Sequence, residues 1–381
     1  MMQPSLIPAP DPNPLPAPYW VFAVLLVTTF ILHIVAMNFM LGGGVMALVA
    51  KWRSKDREIG NRVFIDLAKK LPVLLPATIT LGIAPLLFVQ VLYGQFFYTS
   101  SVLMAWPWLL VLVCLTVAYY GFYYASFKGG QRPGRAGAVI LGSIVLVFLI
   151  GFMLSNNITL SQTPQIWGRK YFADPAGWNL NLTDPSLFPR YLHFMVAALA
   201  LGGLLVVFMA LANWKRDNAY ARQLLQFGGK GFMYATMAQV VEGVLFLVSL
   251  PSGLRLLFLG NDPVATMLFL IGILGSIASI VLMAEALRKE DIRMAAYHVP
   301  AIIAVVIVCM ATMRDMLRNA YLAPYFRPGD LAVRTQWTVF PVFLGVFAAG
   351  AIFWFVMIVR YRKHAADHGQ LRASKASEAA G

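Results

Sequence analysis

Nine stretches of the chain are apolar for long enough to cross a lipid bilayer, and this limits the fold more than any other feature. They run over about 19–50, 71–98, 102–127, 136–156, 189–213, 229–250, 263–286, 296–316 and 338–360. A helix needs roughly 20 apolar residues to span the hydrocarbon, and each run reaches that length. Backbone N–H and C=O groups in lipid must be satisfied internally, so these runs are predicted to be helices. Composition agrees: 60% of the 381 residues are hydrophobic and 12% charged, more apolar surface than a soluble fold of this length can hide. The predicted class is an all-α integral membrane protein with nine transmembrane helices.

The formal net charge of +14 invites a nucleic-acid reading, but the distribution of charge excludes it. Of the 30 Lys and Arg residues, 22 lie in the segments 51–70, 128–135, 214–230, 287–293 and 360–381, which alternate with the opposite connections. By the positive-inside rule these segments are cytoplasmic, so the N-terminus is expected outside and the C-terminus inside a bacterial cytoplasmic membrane. Residues 1–18 are proline-rich and lack Lys and Arg; they read as an external arm. Cys114 and Cys309 both fall within apolar runs, with no CxxCH or CxxC motif. Any redox centre must therefore be held non-covalently, by residues other than thiols.

The chain also repeats itself. HIVAMNFMLGG (His33 to Gly43) and HFMVAALALGG (His193 to Gly203) each place a Gly-Gly pair nine residues after a histidine, and a Trp beside basic residues follows in both. Ala77-Thr78 with Leu87-Phe88 matches Ala235-Thr236 with Leu245-Phe246, and Met153 with Pro164 matches Met313 with Pro324, all at identical spacing. The reading is two tandem four-helix repeats, 19–164 and 189–324, joined by an external loop at 165–188. A ninth helix with its preceding external loop occupies 325–360, and 361–381 is a cytoplasmic tail. Both repeats begin outside, which places their pseudo-axis along the membrane normal.

His193 lies three residues after Arg190, so it sits near the outer surface, and the repeat puts His33 at a similar depth. A polar side chain in lipid is costly and normally has a partner. Haem iron is one partner that explains a histidine in an apolar bundle. A hydrogen bond to a neighbouring carbonyl or hydroxyl is the plainer one. The glycines either let helices approach closely or leave room for a flat macrocycle. Two histidines at equivalent positions and one depth favour haem b, either one haem clamped by both or two haems with one histidine each.

These residues resemble a known family. HIVAMNFMLGG is similar to the first span of subunit I of cytochrome bd-type quinol oxidases, where a haem-ligating His is followed by Leu-Gly at the same offset. Arg190-Tyr191-Leu192-His193 is similar to that family's opening of span five, whose His ligates the low-spin b haem. Arg216-Asp217 with Ala221-Arg222, and Gly82-Ile83-Ala84 with Gly94, fit as well. The likeness covers roughly 20–250, and nine spans with an outside N-terminus is the family topology. Three departures stand out. The third span, SVLMAWPWLLVLVCLTVAYYG, carries no carboxylate. The family's Glu-x-Gly-Arg-Gln-Pro-Trp is here Ala311-Thr312-Met313-Arg314-Asp315-Met316-Leu317, keeping only the Arg. Spans six and seven are joined by PSGLRLLFLGND rather than a long quinol-handling loop. The resemblance thus implies a haem-b electron carrier more than a complete oxygen reductase.

Further candidates follow. Met267 opens span seven and is a candidate axial ligand, as the family's Met is, against a core methionine. Arg314 and Arg255 are candidates to pair with haem propionates, against interfacial anchoring. Glu242 is the one acidic residue deep in a span, a candidate for a proton path or quinone site. Asp315 reads as an ion-pair partner of Arg314, and His298 as the cytoplasmic start of span eight. His364 and His368 read as solvated tail residues, and AYYGFYYASF as an interfacial aromatic belt. The expected function is transfer of electrons between the quinone pool and an external partner such as a c-type cytochrome, as a membrane subunit of a hetero-oligomeric complex in contact with quinone and lipid. The rivals are a haem-free quinone-binding or scaffolding anchor, and a transporter built on the same kind of repeat.

Overall fold

The computed structural model describes residues 7–54 and 56–378, with side chains up to Arg360 apart from those of Trp354 and Ile358. The histidines at 364 and 368 fall outside the described side chains. Among the described residues there are helices and connections, one isolated bridge between Leu15 and Val333, and no strands. The helices are α1 (Tyr19–Arg53), α2 (Arg57–Ala68), α3 (Leu71–Leu103), α4 (Ala105–Lys128), α5 (Pro133–Ser161), α6 (Trp167–Ala173), α7 (Leu187–Asn213), α8 (Asn218–Ser249), α9 (Ser252–Leu256), α10 (Pro263–Lys289), α11 (Val299–Leu322) and α12 (Val339–Glu378). Nine of them contain a stretch long and apolar enough to cross a membrane, with α2 and α3 forming a single span and α12 contributing Val339–Met357. The protein is a polytopic α-helical membrane protein.

Local chemistry sets the helix ends. Asp56 caps α2 by accepting from the Glu58 and Ile59 N–H groups, Asp217 caps α8 through the Tyr220 N–H, and Asp262 caps α10 through the Ala265 N–H. Each side chain satisfies an N–H that the first helical turn leaves free. Pro133 and Pro263 start α5 and α10, where the missing N–H costs nothing. α8 begins at Asn218, well before the apolar run at 229–250. Its first turns carry Arg222 and Gln226 across connections that are polar but still helical. Within α3 the backbone leaves helical geometry at Tyr93 (φ −136°, ψ 29°).

One compact unit is built on Phe22–Asp330; Asn13–Val21 and, among the described residues, 331–378 form a second. In the second, the Leu15 N–H donates to Ala332 O and the Arg334 N–H to Leu15 O. In the first, α4 packs along α5 as α10 packs along α11, and α7 lies along α8. Within this unit a continuous apolar core runs through Leu41, Ala47, Phe64, Phe122, Leu204 and Phe232. The basic connections meet at one end: Arg62 on α2 pairs with Asp217 at 2.8 Å, Tyr220 donates to Asp66 at 2.8 Å, and Arg222 pairs with Glu290. We call this the basic face. At the opposite, far face, Asn156 accepts from the Asn181 N–H at 2.9 Å, Trp167 donates to Leu160 O at 2.8 Å, and Tyr325 donates to Gln165 at 3.1 Å.

Candidate cofactor site

The first glycines of the two pairs, Gly42 and Gly202, face each other, whereas Gly203 packs on α8 against Gly228 and Phe232. A Cβ on Gly42 would lie 1.8 Å from Ala198 O, and one on Gly202 would lie 2.4 Å from the Gly42 carbonyl carbon. The glycines are therefore the point where α1 and α7 touch backbone to backbone. Only residues without a side chain permit that approach. Of the two roles open to them from sequence, close helix approach is the one the structure shows.

Nine residues toward the far face, the two histidines turn to different neighbours. On α7, His193 reaches α8. Its Nδ1 lies 2.9 Å from Glu242 Oε2, and its Nε2 lies 2.9 Å from the Gln239 side-chain nitrogen. Gly243 leaves space for the ring, since a Cβ there would sit 3.3 Å from His193 Cε1. The His193 and Glu242 side chains keep only 12% and 10% of their exposure, so their hydrogen bond is largely shielded from solvent. On α1, His33 reaches α3. Its Nδ1 lies 3.0 Å from Thr78 O, and its ring rests on Gly82, where a Cβ would lie 2.8 Å from Cε1. In both cases Nδ1 is anchored, and a glycine on the next span makes room for the ring.

A cavity of about 230 Å³ opens beside His193. Its walls are apolar, formed by side chains such as Phe194, Leu201, Phe246, Ile303 and Met310. Besides His193, its polar lining residues are Arg190, Arg314, Asn38, Gln239, Thr236 and Ser276. Arg190 is buried at 4% exposure, lies within electrostatic reach of Tyr321 and Asp184, and sits 5.3 Å from the Phe246 ring. Its Nε and one terminal nitrogen have no partner among the described residues, nor does Nε of Arg314. Arg314 lies over Phe30 at 4.2 Å. Buried guanidinium hydrogens left without acceptors are costly, so two such groups at one cavity call for an anionic ligand.

The other sequence candidates lie apart from this cavity. Met267 on α10 is 53% exposed and does not line it. Arg255 on α9 is half-buried, lies outside the cavity lining and donates to Val248 O at 3.4 Å. Asp315 pairs with Arg318, one turn further along α11, rather than with its neighbour Arg314. His298 is exposed at the basic face. His33 stands outside the cavity lining, although Arg314 is within electrostatic reach of it. The structure thus gathers His193, Glu242 and Arg314, and adds Arg190, Gln239 and Asn38, which sequence reasoning did not place in the site. Their signal was helical spacing. Arg190 lies three residues before His193, and Gln239, Glu242 and Gly243 lie within one turn of each other.

Comparison with known proteins bears on the fold. No family model matches the chain, and no curated protein matches it. Its structure is similar to a solved structure of bd oxidase from Geobacillus thermodenitrificans, with a TM-score of 0.67 over 90% of this chain and 98% of that one, at 12% identity. The two chains share a fold. That likeness agrees with the remote resemblance carried by the His33 and His193 stretches.

Proposed function

We propose that the chain is a membrane-embedded b-type cytochrome subunit of a respiratory complex, moving electrons between the quinone pool and an external partner such as a c-type cytochrome. The observation that carries the proposal is the cavity at His193, where an imidazole, apolar walls, the buried Arg190 and the half-buried Arg314 converge, both arginines with buried guanidinium nitrogens lacking partners among the described residues. These residues fit haem b. His193 offers Nε2 to iron while Nδ1 stays anchored, the usual arrangement of a metal-bound histidine. Arg190 and Arg314 offer charge-assisted bonds to propionates, and Phe194, Leu201 and Phe246 offer the apolar enclosure. A haem bound there would supply one-electron transfer. The protein's own part is to bind it, orient it through His193 and exclude water.

His33, anchored in the same way on α1, supports a second site rather than a shared one, because it faces α3 while His193 faces α8. The carboxylate-free α4 supports an electron carrier over an oxygen reductase. We place the basic face in the bacterial cytoplasm, with the site near the outside. The test is the absorbance of the dithionite-reduced protein purified from haem-supplied cells. It should show b-type bands that His193→Ala removes or converts to a high-spin form. A colourless preparation with its helical circular dichroism intact would overturn the haem reading. One observation favours a second reading, a haem-free quinone-binding or scaffolding anchor: the Gln239 amide already satisfies His193 Nε2 within the protein.

A further inference from the structure

The hydrogen bonds around His193 have a definite direction. The Gln239 side-chain nitrogen carries only hydrogens to donate, so His193 Nε2, 2.9 Å away, accepts. Nε2 is then unprotonated, the ring proton sits on Nδ1, and Nδ1–H donates to Glu242 Oε2. The other Glu242 oxygen, Oε1, is buried and has no hydrogen-bond partner among the described residues. No guanidinium is paired with this carboxylate among the described ion pairs. The hydrogen bonding of Glu242 is thus spent on His193. His33 occupies the corresponding position in the first repeat and anchors the same ring atom, but to the neutral Thr78 carbonyl. The two histidines therefore differ in the acceptor behind them, a carboxylate side chain for His193 and a peptide carbonyl for His33.

We infer that Glu242 is a positioning residue for His193. It holds the Nδ1–H tautomer, leaves the Nε2 lone pair on the Gln239 side at the cavity wall, and makes this imidazole a stronger electron donor than that of His33. The inference rests on the haem reading above. A carboxylate that accepts the ring N–H raises the basicity of the opposite nitrogen, and burial keeps water from screening it. A more basic ligand favours the more highly charged, oxidised iron. The His193-linked centre is accordingly set to a lower potential than the same ligand would give against a peptide carbonyl.

The test compares haem-loaded wild type with Glu242→Gln, Glu242→Asp and Glu242→Ala by redox titration, following the absorbance component that His193→Ala removes. Glu242→Gln keeps the size and an acceptor oxygen but removes the charge. The ratio of affinities for oxidised and reduced iron should then change at least tenfold, a rise in potential of about 59 mV for a one-electron couple. Glu242→Asp draws the charge back by one methylene and should raise the potential by less. Glu242→Ala removes charge and hydrogen bond together, and haem affinity should fall about 10–100-fold. Any absorbance component that survives His193→Ala should keep its potential in all three variants. An unchanged potential in whichever of the Gln and Asp variants retains wild-type circular dichroism overturns the inference and leaves the haem reading standing. A wild-type spectrum that does not depend on His193 overturns both.

Discussion

Gly42→Ala puts one methyl group where two helices touch. The new Cβ would fall 1.8 Å from Ala198 O and 2.8 Å from Gly202 Cα. Carbon–oxygen contacts between helices settle near 3.3–3.6 Å, so α1 and α7 must part by roughly 1.5 Å at the crossing. Both obstacles are backbone and cannot rotate aside. Overpacking a close-packed interior costs about 1–3 kcal/mol, and a backbone clash belongs at the upper end of that range. Opposing it is the helical preference of Ala over Gly, about 1 kcal/mol. The expected net effect is a destabilisation of about 1–2 kcal/mol. Gly142 on α5 is the control, because a Cβ there meets nothing within 4 Å; the same substitution should be neutral or slightly stabilising. The assay is the apparent melting temperature of detergent-solubilised protein, read from loss of the monodisperse elution peak. Gly42→Ala melting at or above wild type would refute the backbone contact as a tight crossing of α1 and α7.

Asn156→Ala should loosen the far face. It leaves the buried Asn181 N–H without its acceptor, a loss of about 1–3 kcal/mol, read as faster proteolysis within 174–186. Asp217→Ala should lower the melting temperature at pH 7, since the side chain both caps α8 and pairs with Arg62. The Tyr220 N–H and the Arg62 guanidinium hold this carboxyl below its ordinary value of 3.8. Its contribution is therefore complete above that value and lost as pH falls further, so wild type and variant should converge in acid. A reporter fused after Gln370 should score cytoplasmic and one inserted near Asn179 external; the reverse would contradict the charge reading. His298→Ala, His364→Ala and His368→Ala should leave the reduced spectrum unchanged, a check made on the same preparations as His193→Ala.

The spans were legible because burial in lipid writes itself as composition, and each apolar run became one helix. Helix ends were less so. Arg222 and Gln226 extend α8 beyond its apolar run because polarity does not stop a helix at a basic surface. The meaning of Gly42 and Gly202 was open between two roles, since a glycine signals close approach without naming what approaches. The pairing of His193 with Glu242 joins residues 49 positions apart, and no pattern within one helix reports on a neighbouring one. Asp315 shows the same limit on a smaller scale. Its neighbour in sequence is Arg314, but the helical turn brings Arg318 to it.

The glycine contact between α1 and α7 also acts as a fulcrum. His33 and His193 each stand nine residues from it, a lever arm of about 13.5 Å at 1.5 Å per residue. One degree of scissoring there would carry each imidazole about 0.2 Å, and two or three degrees would use up the roughly 0.5 Å of tolerance that the proposed haem site would have. Stiffness at a spot with no chemistry of its own thus governs the precision of the chemistry above it. A force applied to the basic end of either helix would be felt at the cavity, far beyond the reach of any side chain.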